Sequence, residues 1–167
     1  VSNTDHFVVD SGSFTMETWF KLDHETWEHK LVDAGVNPSL RRLTLFGLYN
    51  SGYHFDFSCF LQYQSDGYRM QMSAYQPDNV MSNAVYAPAH SFMMDHTWHH
   101  VAVVYRPEWQ GIKLYCDYTL VSGVIRVDVG DNGNELRIGD NGSGFPGLTS
   151  AFRVTGVALE PEDFMRA

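Results

Sequence analysis

Apolar residues along this chain recur at every second position, in short runs separated by turn clusters. Phe14, Met16, Thr18, Phe20 and Leu22 fall on one side of a predicted strand, with Thr15, Glu17, Trp19 and Lys21 on the other. Phe55, Phe57, Cys59 and Leu61 alternate in the same way with His54, Asp56, Ser58 and Phe60. Met70, Met72 and Ala74 alternate with Arg69, Gln71 and Ser73, and Val101, Val103 and Tyr105 with His100, Ala102 and Val104. Shorter runs follow at Ile112 to Cys116, Leu136 to Ile138 and Phe152 to Val154. Clusters such as Asn50-Ser51-Gly52, Ser65-Asp66-Gly67 and Asp140-Asn141-Gly142-Ser143-Gly144 mark turns between them. Many short strands joined by turns predict an all-β sandwich or barrel.

Helical signals are few. Glu160-Pro161-Glu162-Asp163-Phe164-Met165 places a proline and acids in a first turn and predicts a short C-terminal helical turn. The stretch from Leu31 to Leu45 is ambiguous, and Pro38 interrupts it. No internal repeat, low-complexity tract or linker divides the chain, so residues 1–167 read as one domain.

Composition narrows the class. A chain of 167 residues removes roughly 70% of its unfolded surface from water, enough for a core without staples. Hydrophobic residues make up 44% and charged residues 19%, which excludes a disordered tract. No apolar run approaches the ~20 residues that span a bilayer. The formal charge of −9 argues against partners rich in phosphate, nucleic acid or anionic membrane alike. No charged-then-apolar leader opens the sequence, so it reads as a mature or excised domain. Two cysteines, Cys59 and Cys116, are too few for a disulfide scaffold; buried thiols and a single bridge both fit their alternating surroundings.

Three groups of residues go beyond a generic strand pattern. Phe14-Thr15-Met16-Glu17-Thr18-Trp19-Phe20-Lys21 resembles the early strand of laminin-G-like, concanavalin A-like jelly rolls, written F-T-I-E-A-W-V-K. Trp98-His99-His100-Val101-Ala102-Val103-Val104-Tyr105, followed by Leu114-Tyr115-Cys116-Asp117, resembles the paired W-H-H-V-A-V-x-Y and L-Y-V-D-G strands of that family. Leu136-Arg137-Ile138-Gly139, Phe145 to Leu148, Phe152 to Val154 and Ala158 to Phe164 resemble its closing motifs. The matches run in family order between Phe14 and Phe164. The resemblance implies two antiparallel sheets face to face, one with a concave outer surface. It also implies a module of the kind found beside secreted glycan-active enzymes, with an extracellular, periplasmic or cell-surface location. Two departures stand out. Ser150-Ala151 replaces the acidic pair usual near a family calcium site, and Tyr118 stands where the hairpin glycine is usual.

Sugar binding needs flat apolar faces for ring C–H groups and a few directed hydrogen bonds. Alternation sends Trp19, His54, Asp56, Arg69, Gln71 and His100 away from the core, and these are the expected ligand-binding residues on a concave sheet. Trp19 and His100 equally suit structural packing, because they stand at shared motif positions. The alternative surface is a loop rim carrying Trp27, Tyr49, Tyr53, Trp109 and Tyr118. Asp128, Asp131, Asn132 and Asp140 supply hard oxygens for a calcium ion, although such runs are also ordinary turn chemistry.

Enzyme chemistry finds little support. His24 and His29 are five residues apart, a poor spacing for one helical metal site, and His99 and His100 alternate to opposite faces. No E-x-D-x-x-E run supplies the paired carboxylates of a glycosidase in this fold, and no G-x-S-x-G elbow or phosphate-binding loop appears. The expected function is a non-catalytic carbohydrate-binding module of a larger secreted or surface protein. An adhesion module that binds a protein through its rim is the alternative, and a glycoside hydrolase or polysaccharide lyase a remote one. The net charge favours neutral or cationic glycans unless a local Arg or His cluster reverses the field.

Overall fold

A computed structural model describes residues 12–23, 42–49, 55–64, 67–75, 81–85, 96–121, 123–127, 135–139 and 147–167. Eleven strands are present among them: β1 (Phe14–Leu22), β2 (Arg42–Tyr49), β3 (Phe55–Gln64), β4 (Gly67–Tyr75), β5 (Met81–Val85), β6 (His99–Arg106), β7 (Gly111–Cys116), β8 (Thr119–Leu120), β9 (Ile125–Arg126), β10 (Glu135–Ile138) and β11 (Gly147–Thr155). They form two antiparallel sheets. One has the order β11-β1-β6-β7-β8, with β9 also pairing β7; the other has the order β10-β2-β3-β4-β5. The all-β sandwich that the alternation allowed, and the two-sheet jelly roll that the resemblance implied, is therefore the fold.

The inner faces supply the core. Phe14, Met16, Phe20 and Leu22 of β1 meet Leu45, Phe46 and Leu48 of β2, Phe57, Cys59 and Leu61 of β3, and Val101 and Val103 of β6. Burying each large side chain contributes roughly 1.5–3 kcal/mol. Phe14 lies between Phe57 and Tyr105, with ring centroids 6.1 and 5.1 Å away, and so ties the two sheets together. Cys59 and Cys116 are both buried free thiols on facing sheets, not a bridge. The Cys59 thiol sits 3.6 Å from Met70 Sδ. Burial pushes both thiols well above their ordinary range.

Three irregularities interrupt the regular pairing, and one lies between Leu48 and Tyr49, whose partners Phe57 and Phe55 leave position 56 as the extra residue of β3. In β2 the register shifts between Thr44 and Phe46, so Leu45 and Phe46 are both buried in the core although adjacent in sequence. This bulge resolves the ambiguous Leu31–Leu45 stretch where it is described: residues 42–45 are strand. In β11 the register shifts opposite Glu17 and Trp19, and Ala151 takes φ 47°. The departure at Ser150-Ala151 is thus an edge bulge, and the Ser150 carbonyl accepts a hydrogen bond from Thr18 Oγ1. The β7–β8 hairpin closes through Asp117 (φ 46°) and Tyr118 (φ 65°), both left-handed, as the primed two-residue turns require. The C-terminal helical turn is a single 3₁₀ turn at Pro161–Asp163, with proline at its start.

Candidate functional site

The outward residues of the six-stranded sheet are not a free surface. Thr15 and Glu17 of β1 and His100, Ala102 and Val104 of β6 are all fully buried, because residues 156–166 run across them. Thr15 Oγ1 donates to the Val157 carbonyl and accepts from the Leu159 N–H, both at 2.9 Å. Glu17 is the central anchor. Its Oε2 accepts from His100 Nε2 at 2.8 Å and from the Met165 N–H at 2.9 Å, while Oε1 accepts from Arg153 Nε at 2.6 Å. Burial alone raises the Glu17 pKa, but these donors and the Arg153 charge outweigh it and hold the carboxyl below its ordinary range.

Aromatic rings close the rest of this face. His100 stacks on Tyr118 (5.0 Å, 11°) and lies against Phe164 (5.6 Å) and Trp19 (5.3 Å). Tyr118 donates from its hydroxyl to the Met165 carbonyl, and the Arg166 guanidinium caps its ring. Trp109, in a 3₁₀ turn at Pro107–Trp109, carries Lys113 Nζ 4.0 Å and Arg106 Cζ 4.6 Å from its ring centroid. Arg106 is also paired with Glu160. The Asp117 carboxylate accepts from the His100 N–H at 2.8 Å and from His99 Nδ1 at 2.9 Å, which fixes the hairpin against β6.

These contacts correct two expectations. Trp19 and His100 lie in the six-stranded sheet, whereas positions 56, 69 and 71 lie in β3 and β4 of the other. The core separates the two outer faces, so the six residues do not form one site. Trp109 lies in the β6–β7 turn and Tyr118 in the β7–β8 turn, at opposite ends of β7, so these two do not share a rim; both pack on the second hydrophobic cluster of the six-stranded sheet. His54, Trp27 and Tyr53 lie outside the described residues, as do Asp128, Asp131, Asn132 and Asp140. No group of three or more His, Cys, Asp or Glu side chains with metal-binding geometry occurs among the described residues.

The outer face of the five-stranded sheet is built from different residues, although Ser58, Phe60 and Ser73 on it are also buried. Arg137, Gly47, Ser58, Ser73 and Asn83 are consecutive register partners across β10, β2, β3, β4 and β5. A row of five strands spans about 19 Å at the usual strand spacing. Its middle positions are glycine and serine, so its floor is low. A Cβ at Gly47 would lie 2.7 Å from the Phe57 carbonyl oxygen and 3.0 Å from Tyr49 Cε2. Glycine is what lets the Tyr49 ring settle over the strand. Tyr49 shares a 3.4 Å hydrogen bond between its hydroxyl and Ser58 Oγ, and Arg137 Cζ lies 4.6 Å from its ring centroid. Ser58 and Ser73 are buried; Tyr49, Gln71 and Arg137 keep partial exposure. Gln71 pairs with Phe60 and Val85 in the neighbouring row. Asp56 is in β3, and Arg69 is in β4 opposite Gln62. Arg137 is absent from the residues expected on sequence grounds, although its place between Leu136 and Ile138 already carries the outward signal.

No curated protein sequence matches this chain. Solved structures do match in fold. The binding domain of Paraclostridial Mosquitocidal Protein 1 is 13% identical at a TM-score of 0.61, over 91% of this chain and 35% of that one. The binding domain of Botulinum Neurotoxin DC in complex with SialylT is 14% identical at 0.54, over 91% and 34%. An alginate lyase from Pseudomonas aeruginosa is 10% identical at 0.56, over 87% and 65%. The chain thus spans about a third of the two toxin domains and about two-thirds of the lyase. With its two-sheet architecture and the Laminin_G_3 family model matching residues 1–164, the chain belongs to the concanavalin A-like lectin/glucanase superfamily.

Proposed function

We propose that this chain is a non-catalytic carbohydrate-binding module that holds a glycan on the outer face of its five-stranded sheet. The observation that carries the reading is the row from Arg137 over Gly47 to Ser58, with the Tyr49 ring held beside it. A planar guanidinium braced on an aromatic ring, hydroxyls and the Gln71 amide are the directed donors and acceptors that sugar hydroxyls need. Positions 56 and 69 stand on the same two central strands and belong to this reading. The similar neurotoxin domain in complex with SialylT supports a binding role, and the similar alginate lyase is why catalysis enters the test. In this reading the module works outside the cell or at its surface, as one part of a larger protein. A calcium ion held by Asp128, Asp131, Asn132 and Asp140 belongs to the same reading.

A glycan array followed by titration calorimetry on the best hit tests this. Arg137→Ala, Tyr49→Ala and Gln71→Ala should each weaken binding about tenfold, corresponding to one good hydrogen bond or stacking contact. Binding unchanged in all three variants, or product released from a polysaccharide by the isolated chain, overturns the reading.

A further inference from the structure

The segment that covers the six-stranded sheet is not held as a strand is. Among the described residues, no backbone–backbone hydrogen bond joins residues 156–166 to either sheet; their one such bond, from the Asp163 N–H to the Glu160 carbonyl, is internal. Side chains hold this backbone instead. Thr15 Oγ1 and Glu17 Oε2 accept from the Leu159 and Met165 N–H groups, while Thr15, Tyr118 and Arg153 donate to the carbonyls of Val157, Met165 and Asp163. Phe164, 3% exposed, is the one buried residue of the segment, with its ring 5.6 Å from His100 and 5.2 Å from Tyr115. Contacts of this kind recognise a peptide backbone and a single ring. Gly156, where the segment leaves β11, is exposed, and a Cβ there would meet nothing within 4 Å, so the junction has room to turn. Glu17 also keeps His100 Nε2 and Arg153 Nε as partners on the sheet itself, so lifting the segment does not leave its charge unpaired.

We propose that the outer face of the six-stranded sheet is a peptide-binding surface, with residues 156–166 as a resident ligand that releases as a unit while both sheets stay folded. Local opening is easiest where few apolar groups are buried and no ladder holds the backbone. The segment meets both conditions; β1 and β6, buried in the middle of their sheet, meet neither. The same segment of a second copy offers the same backbone groups and the same ring, so the surface also takes it in trans. Attachment gives the resident segment the advantage of a high effective concentration.

Native-state hydrogen exchange on the parent chain, followed by nuclear magnetic resonance, is the first test. The Leu159 and Met165 amides should exchange at least about tenfold faster than those of Met16 and Val103, which are partners in the β1–β6 ladder. Phe164→Ala should remove the protection of Leu159 and Met165 while Met16 and Val103 stay protected. A synthetic peptide of residues 156–167, added to the Phe164→Ala chain, should then shift the His100 and Tyr115 resonances. The same peptide carrying Phe164→Ala should not. Leu159 and Met165 exchanging together with Met16 and Val103 overturns the proposal, as does a Phe164→Ala chain that no longer folds or that the peptide leaves unchanged.

Discussion

Glu17 and His100 meet diagonally across β1 and β6, Oε2 to Nε2 at 2.8 Å, with both side chains at 0% exposure. The same oxygen accepts from the Met165 N–H, so one carboxylate joins the first described strand, a central strand and the C-terminal segment. Removing it leaves buried donors without acceptors. Glu17→Ala should destabilise the fold by about 3–5 kcal/mol, the range for breaking a buried pair from one side. Glu17→Gln, which keeps one acceptor oxygen, should cost less. Urea unfolding of the three proteins measures both differences.

Acid should loosen the same anchor. The Glu17 pKa is lower in the folded chain than its ordinary value of 4.5. Its contribution to stability is therefore fully present above 4.5 and is lost as the pH falls through the folded value. Unfolding free energies measured from neutral pH down into this range should fall more steeply for the parent chain than for Glu17→Gln. Parallel acid slopes for the two would show that other carboxylates carry the loss.

The two thiols should be inert in the folded state. Cys59 is 0% and Cys116 1% exposed, and burial raises the pKa of each. A thiol reagent at pH 8 should label neither until denaturant is added, when both should react. Cys59→Ser should cost about 1–3 kcal/mol by burying a hydroxyl among apolar side chains.

Glycine substitutions test close approach. A Cβ at Gly111 would lie 2.3 Å from the Ile125 carbonyl oxygen, and one at Gly47 2.7 Å from that of Phe57. Both neighbours are backbone and cannot rotate away. Gly111→Ala should separate β9 from β7, and Gly47→Ala should distort β2 against β3, each costing about 1–3 kcal/mol. Under the glycan reading, Gly47→Ala should also displace Tyr49 and weaken binding, whereas Gly111→Ala should leave affinity unchanged.

Alternation is enough to assign the faces of β1, of β6, and of residues 57–61 in β3 and 70–73 in β4, because period two is what a half-buried strand imposes. It cannot reveal β2: the bulge puts Leu45 and Phe46 on one face and breaks the period in the middle of the strand. The two-residue strands β8 and β9 are too short to leave a pattern. The candidate site is hidden for a related reason. Alternation says which side of its own sheet Trp19 or Gln71 occupies, but only long-range pairing says which sheet that is. Nor does an outward residue have to be exposed. Glu17 points away from the sandwich core and is still fully buried, because the cover arrives from Leu159 to Met165 at the far end of the chain.

That distance has a kinetic side. Thr15 bonds to a residue 142 positions later and Glu17 to one 148 positions later. During synthesis, β1 can pair and fill the inner core well before the residues that seal its outer face leave the ribosome. Until then a carboxylate, an imidazole and several aromatic rings share an uncovered surface. Closure is a highly non-local step and belongs late in folding, since distant contacts are the slowest to form. A nascent chain halted before Phe164 would expose sticky rings around an unpaired charge, a form well suited to recognition by quality-control machinery.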